Sequence, residues 1–224
     1  MGTSKGYIQP KTVHWTEAKR AVTSYIRNGS SETKGNAASK FANAMKHDMI
    51  AGNSFVSASS NVIAFVNAVS RSGLQQALKE YGRQDLIGRS FSEVCDELIH
   101  EFTNFGSTTE DYIAAQSITL AMKELQIDDF ANIDTSQFLK EMLIQYIKSS
   151  FEFRYEESIR AKKTPEETNK ILKEMGKYIS GELHEKLTIQ ELKSVNFNDL
   201  KSNQLVEKSL IDAYEILVMF YGEV

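Results

Sequence analysis

One cysteine, two prolines and one tryptophan are all that 224 residues contain of those types. A lone Cys95 excludes any intrachain disulfide, so the fold does not depend on an oxidising compartment and a cytoplasmic setting is expected. With only Pro10 and Pro165, the middle of the chain is free to form long helices. No apolar run approaches the roughly 18 residues that a membrane-spanning helix needs, and the N-terminus has no apolar core of a secretory signal. Lipidation at Gly2 is not expected either, because the myristoylation pattern needs Ser or Thr where Gly6 stands.

Catalytic signatures are also missing. The sequence has no phosphate-binding glycine loop, dinucleotide fingerprint, H-E-x-x-H or Cys/His cluster. The histidines, His14, His47, His100 and His184, do not pair at helix-face spacing. Cys95 shares an apolar stripe with Phe91, Leu98 and Phe102, which marks a small core residue, not a nucleophile. Glu152, Glu156 and Glu157 alternate with Arg154 and Arg160, and an i,i+4 ion pair accounts for Glu156 with Arg160. No catalytic residue, cofactor or metal site is therefore assigned, and the protein is expected not to be an enzyme.

What is present is helix. Hydrophobic residues make up 41% and charged residues 25%, enough for one good-sized core or two small ones. Apolar spacing and cap signals predict helices over 16–28, 36–51 (stopped by Gly52), 58–81 (interrupted at Gly73, ended by Gly82), 91–105 and 109–126. Beyond these come 135–162, 165–186, a short helix after Thr188 and 203–222. Residues 53–60 read as a join. The sharpest start signals are Ser90-Phe91-Ser92-Glu93, Thr164-Pro165-Glu166-Glu167 and Thr188-Ile189-Gln190-Glu191. The aromatic run Phe151–Tyr155 points around most of a helix, which fits burial on several sides or a partner contact. The expected fold is all-α: a compact multi-helix bundle with a flexible N-terminal arm at 1–14, a basic helical region at 15–83 and an acidic bundle at 84–224. The last two could share one core.

Charge divides the chain. Residues 1–83 carry eleven Lys and Arg against four Asp and Glu, a surplus of seven positive charges. Residues 84–224 carry fifteen against twenty-six, a surplus of eleven negative charges, and the two give the overall −4. The basic third suits an anionic partner. If that partner is nucleic acid, the phosphate contacts would come from Lys11, Lys19, Arg20, Arg27, Lys34, Lys40 and Lys46. Mutual attraction of the two halves, or simple solubility, accounts for the same charges.

Three stretches carry a resemblance. They are Met1-Gly2-Thr3-Ser4, Ala21-Val22-Thr23-Ser24-Tyr25-Ile26-Arg27-Asn28-Gly29, and Thr108-Thr109-Glu110-Asp111-Tyr112-Ile113-Ala114-Ala115-Gln116. Together they resemble QatB, the small helical component of the bacterial Qat anti-phage operon, or a shorter relative of it, since only Gln9-Pro10 stands where that family has a longer Pro/Gly-rich segment. The resemblance implies a non-enzymatic defence subunit encoded beside a P-loop ATPase, a QueC-like enzyme and a TatD-like nuclease. It further implies that Gly2, Thr3 and Ser4 are the working end. QueC-like proteins in a related setting attach a deazaguanine to an N-terminal amine, and Gly2, exposed by removal of Met1, has no side chain to hinder this.

Overall fold

Thr12, Ser30, Ser90, Thr108 and Thr164 each accept a hydrogen bond from the backbone N–H three residues on, and each opens an α-helix. They do so in a computed structural model that describes residues 10–48, 52–189 and 201–219. The helices are α1 (Val13–Asn28), α2 (Ser31–His47), α3 (Asn53–Ser72), α4 (Leu74–Glu80) and α5 (Phe91–Phe102). They continue as α6 (Thr109–Glu124), α7 (Thr135–Arg160), α8 (Pro165–Lys186) and α9 (Lys201–Met219). Short 3-10 turns occupy Gln84–Leu86 and Asn104–Gly106, and the described residues include no strand. The chain is thus all-α. The proximal arm at 1–9, the short helix after Thr188 and the end of the last helix beyond 219 lie outside the described residues.

Several boundaries differ from the sequence pattern for identifiable reasons. α1 begins at Val13, because Thr12 caps it and Trp15 is buried in its first turn. α2 begins five residues before the expected Asn36: Ser30 caps it, and only Ser30 and Gly29, the latter at φ +65°, separate the two helices. Gly52 precedes α3 instead of stopping α2, and residues 53–60 form its first two turns. The expected helix over 58–81 is two helices, since Gly73 adopts φ +81° between them. The capping boxes at Ser90, Thr108 and Thr164 are formed in full, with both reciprocal bonds present.

The chain divides into two compact units. One holds described residues 10–48, 147–187 and 211–219; the other holds 52–146, 188–189 and 201–210. The change of charge sign at residue 83 falls inside the second unit. In the first unit Phe41 of α2 is fully buried and meets Phe151 and Tyr155 of α7 edge-on, at centroid distances of 5.3 and 6.0 Å. The Ser39 hydroxyl donates to the carbonyl of Val218 at 3.2 Å, so α9 closes against α2. In the second unit α3 is buried around most of its circumference. Phe55 stacks on Tyr146 at 4.2 Å, and Phe65 meets Tyr81 and Phe130 edge-on, both at 5.3 Å. α7 serves both units, and this explains why its apolar residues follow no single face.

Candidate functional site

The predicted basic residues separate into two groups. α2 places Lys34, Lys40 and Lys46 toward carboxylates: Lys34 lies 3.6 Å from Glu174, Lys40 2.9 Å from Glu17 and Lys46 2.7 Å from Glu215. Lys34 also sits over the Tyr25 ring, 6.0 Å from its centre. The Lys40 ammonium donates to Glu17 and holds that carboxyl below its usual range, against a smaller opposing effect of desolvation. Burial and then the neighbouring Glu174 push the Tyr25 phenol upward, so it stays protonated.

α1 does the reverse. Trp15, Ala18, Val22, Tyr25 and Ile26 recur at helical spacing and turn inward. Thr16, Lys19, Arg20 and Arg27 are left exposed, with Thr23 and Ser24 half-buried between them. Among the described residues no ion pair engages Lys11, Lys19, Arg20 or Arg27. Four of the seven predicted contacts therefore remain available to an outside anion, and three are committed within the fold.

Beside this face runs a groove of about 680 Å³ between α1 and the second half of α7. It begins at Pro10, the first described residue. Trp15, Val22 and Tyr155 belong to its buried floor. Lys11, Lys19 and Lys162 edge it, and Glu157 is its one carboxylate among the described residues. Arg154 is 5% exposed, its guanidinium 5.8 Å from the Trp15 ring and its Nη1 donating to the carbonyl of Ser150 at 3.3 Å. Phe153 also lines the groove and keeps 37% of its surface exposed. The aromatic run is thus buried on one side and open on the other. Arg160 pairs with Glu156 at 2.5 Å, as the spacing predicts.

Two further features were not visible as a pattern in the sequence. His14 and His47 come from different helices and stack with rings 4.1 Å apart and nearly parallel; His14 Nδ1 is 3.2 Å from the Asn43 amide. Trp15 Nε1 donates to Asp48 at 3.1 Å, tying the root of α1 to the end of α2. Cys95 is buried, and desolvation with the adjacent Asp96 charge pushes its thiol up to about 12. Such a thiol is a poor nucleophile near neutral pH. Among the described residues no group of three or more His, Cys, Asp or Glu could hold a metal ion, and no helix is long and apolar enough to cross a membrane. Gly2, Thr3 and Ser4 lie outside the described residues.

No curated protein and no solved structure matches the chain. One family does: its description is Qat anti-phage system associated protein QatB, and its model matches residues 49–217. That span includes α3 to α8 and nearly all of α9, together with the Arg154 and Lys162 side of the groove. It leaves out α1, α2 and all ten residues predicted to bind a partner or nucleic acid. With three quarters of its length matched in this way, the all-helical chain belongs to the QatB family and is a component of an anti-phage defence system.

Proposed function

We propose that the chain is a non-enzymatic, cytoplasmic subunit of its defence system that offers Gly2, Thr3 and Ser4 to a QueC-like enzyme encoded beside it. It also docks on other proteins of the operon, the ATPase and the TatD-like nuclease among them. The observation that carries this reading is family membership. The placement of Pro10 supports it. Pro10 stands two residues before the cap of an anchored α1, and the eight residues from Gly2 to Gln9 could span about 27 Å if extended. A glycine amine on such a tether can enter a partner's active site without moving the helices.

Deleting residues 2–6 is expected to leave thermal stability almost unchanged and to abolish phage protection. Replacing Gly2 with Trp should abolish protection by retaining Met1 or blocking the amine. Intact-mass spectrometry of the protein co-expressed with its operon should show an adduct on the first residue. An unmodified terminus together with full protection by the deletion variant would refute the reading.

A second reading, nucleic-acid binding, draws on Lys11 and on Lys19, Arg20 and Arg27 of α1, which form no ion pair among the described residues. Affinity for a DNA duplex that falls steeply with salt, and that is lost when these residues are neutralised, would support it.

A further inference from the structure

The groove and the outer face of α1 form one continuous basic surface at the root of the arm. Lys11, Lys19 and Lys162 belong to the groove, against one carboxylate among its described lining residues, Glu157, while Arg154 is held beneath them by Ser150 and Trp15. Arg20 and Arg27 extend the charge along α1, where a second shallow depression is lined by Thr16, Lys19, Arg20, Thr23, Ser24 and Arg27. The chain has thirty acidic residues to twenty-six basic ones, yet among the described residues no ion pair engages Lys11, Lys19, Arg20, Arg27 or Lys162, whereas three neighbouring lysines on α2 are paired.

We infer that this surface docks an acidic patch of the protein that handles the arm, an inference that rests on the reading above. Three observations select this occupant. The arm itself is excluded by charge: residues 1–9 include Lys5 and an α-amine but no Asp or Glu. A phosphate backbone is disfavoured by the Glu157 carboxylate within the groove, which repels it. An exposed aromatic surrounded by charge is how a protein interface is built, with an apolar anchor inside a polar rim. The third observation is position. An enzyme holding Gly2 is within about 27 Å of Pro10 along the tether, and Pro10 lines this groove, so the groove is within that enzyme's reach. Electrostatic docking there raises the local concentration of the tail and speeds encounter more than it adds affinity.

The test measures binding of the purified QueC-like protein to the full chain by titration calorimetry at about 50 and about 200 mM salt. In Lys19→Glu/Arg20→Glu/Arg27→Glu, affinity should fall at least about tenfold, and the salt dependence should largely disappear. Lys123→Glu/Lys170→Glu/Lys208→Glu makes the same charge change on exposed residues elsewhere and should bind like wild type. Circular dichroism checks that both triple variants are folded. If the first triple variant binds as tightly as wild type and still acquires the adduct at Gly2, docking by this surface is wrong and the tail reading survives. If it loses binding but the wild-type tail stays unmodified, the docking surface is right and the tail reading fails. If wild type ignores the QueC-like protein yet binds a DNA duplex in a manner abolished by the same triple substitution, the acidic-protein assignment is overturned in favour of nucleic acid.

Discussion

Cys95 offers a sharp test of whether this chain keeps its one thiol for packing. The side chain is 7% exposed on the inward face of α5, and burial, reinforced by Asp96, pushes its pKa up to about 12. An unfolded cysteine titrates near 8.5. The folded state therefore holds the proton more tightly, so its contribution to stability is complete below about pH 8.5 and is lost as the pH rises toward 12. At about pH 10 the loss amounts to about 2 kcal/mol, because the unfolded thiol is then ionised roughly thirty-fold while the folded one stays protonated. Other groups titrate there too, so the quantity to measure is a difference between wild type and Cys95→Ala. Urea denaturation near pH 7 should show the variant about 1–2 kcal/mol less stable, as expected for a small buried volume loss. By about pH 10 the gap should close, because the variant has no thiol to ionise. Alkylation of the native protein by iodoacetamide near pH 8 should be slower by orders of magnitude than in denaturant, since the folded thiolate fraction is about one in ten thousand. A stability gap that stays constant with pH, or fast alkylation of the native chain, would refute the reasoning and reopen Cys95 as a reactive group.

Two smaller perturbations address the helix ends. Phe105 sits at φ +55° with 75% of its surface exposed, so Phe105→Gly should relieve backbone strain without losing buried area and raise stability by up to about 1 kcal/mol, whereas Phe105→Ala should change little. Thr164→Ala removes the hydroxyl that caps α8 and should lower stability by about 1 kcal/mol, seen as a drop in melting temperature of a few degrees.

The sequence pattern was most legible where the physics is local. Ser90, Thr108 and Thr164 start helices because a hydroxyl and an acid three residues on satisfy orphan N–H groups, and this depends on four residues alone. Gly29 and Gly82 at positive φ end helices for equally local reasons. Boundaries went astray where tertiary burial decided the outcome. Trp15 extends α1 because its ring meets Phe41 and Arg154, neither of which is near it in sequence. The basic surface was legible only as an inventory. Nothing in the local sequence distinguishes Lys40 and Lys46, which reach Glu17 and Glu215, from Lys19 and Arg27, which pair with no carboxylate among the described residues. The groove was not legible at all, since its two walls are more than 100 residues apart.

The bonds that close α9 on α2 also set an order of events. Ser39 waits for Val218, 179 residues later, and Lys46 waits for Glu215, 169 residues later. At synthesis rates of about 5–20 residues per second, roughly 8 to 34 seconds separate Lys46 from its partner on the ribosome. For the first part of that interval, until α7 is made, Phe41 lacks the rings of Phe151 and Tyr155, and the hairpin of α1 and α2 is a nascent element with an exposed apolar side. A chain released before α9 would carry α1 and α2 but lack the bonds that join α2 to α9. α2, the helix bonded to the root of the arm through Trp15–Asp48 and Glu17–Lys40, thus gains its own fastening to α9 late in synthesis, which makes the ninth helix a late clasp on the second.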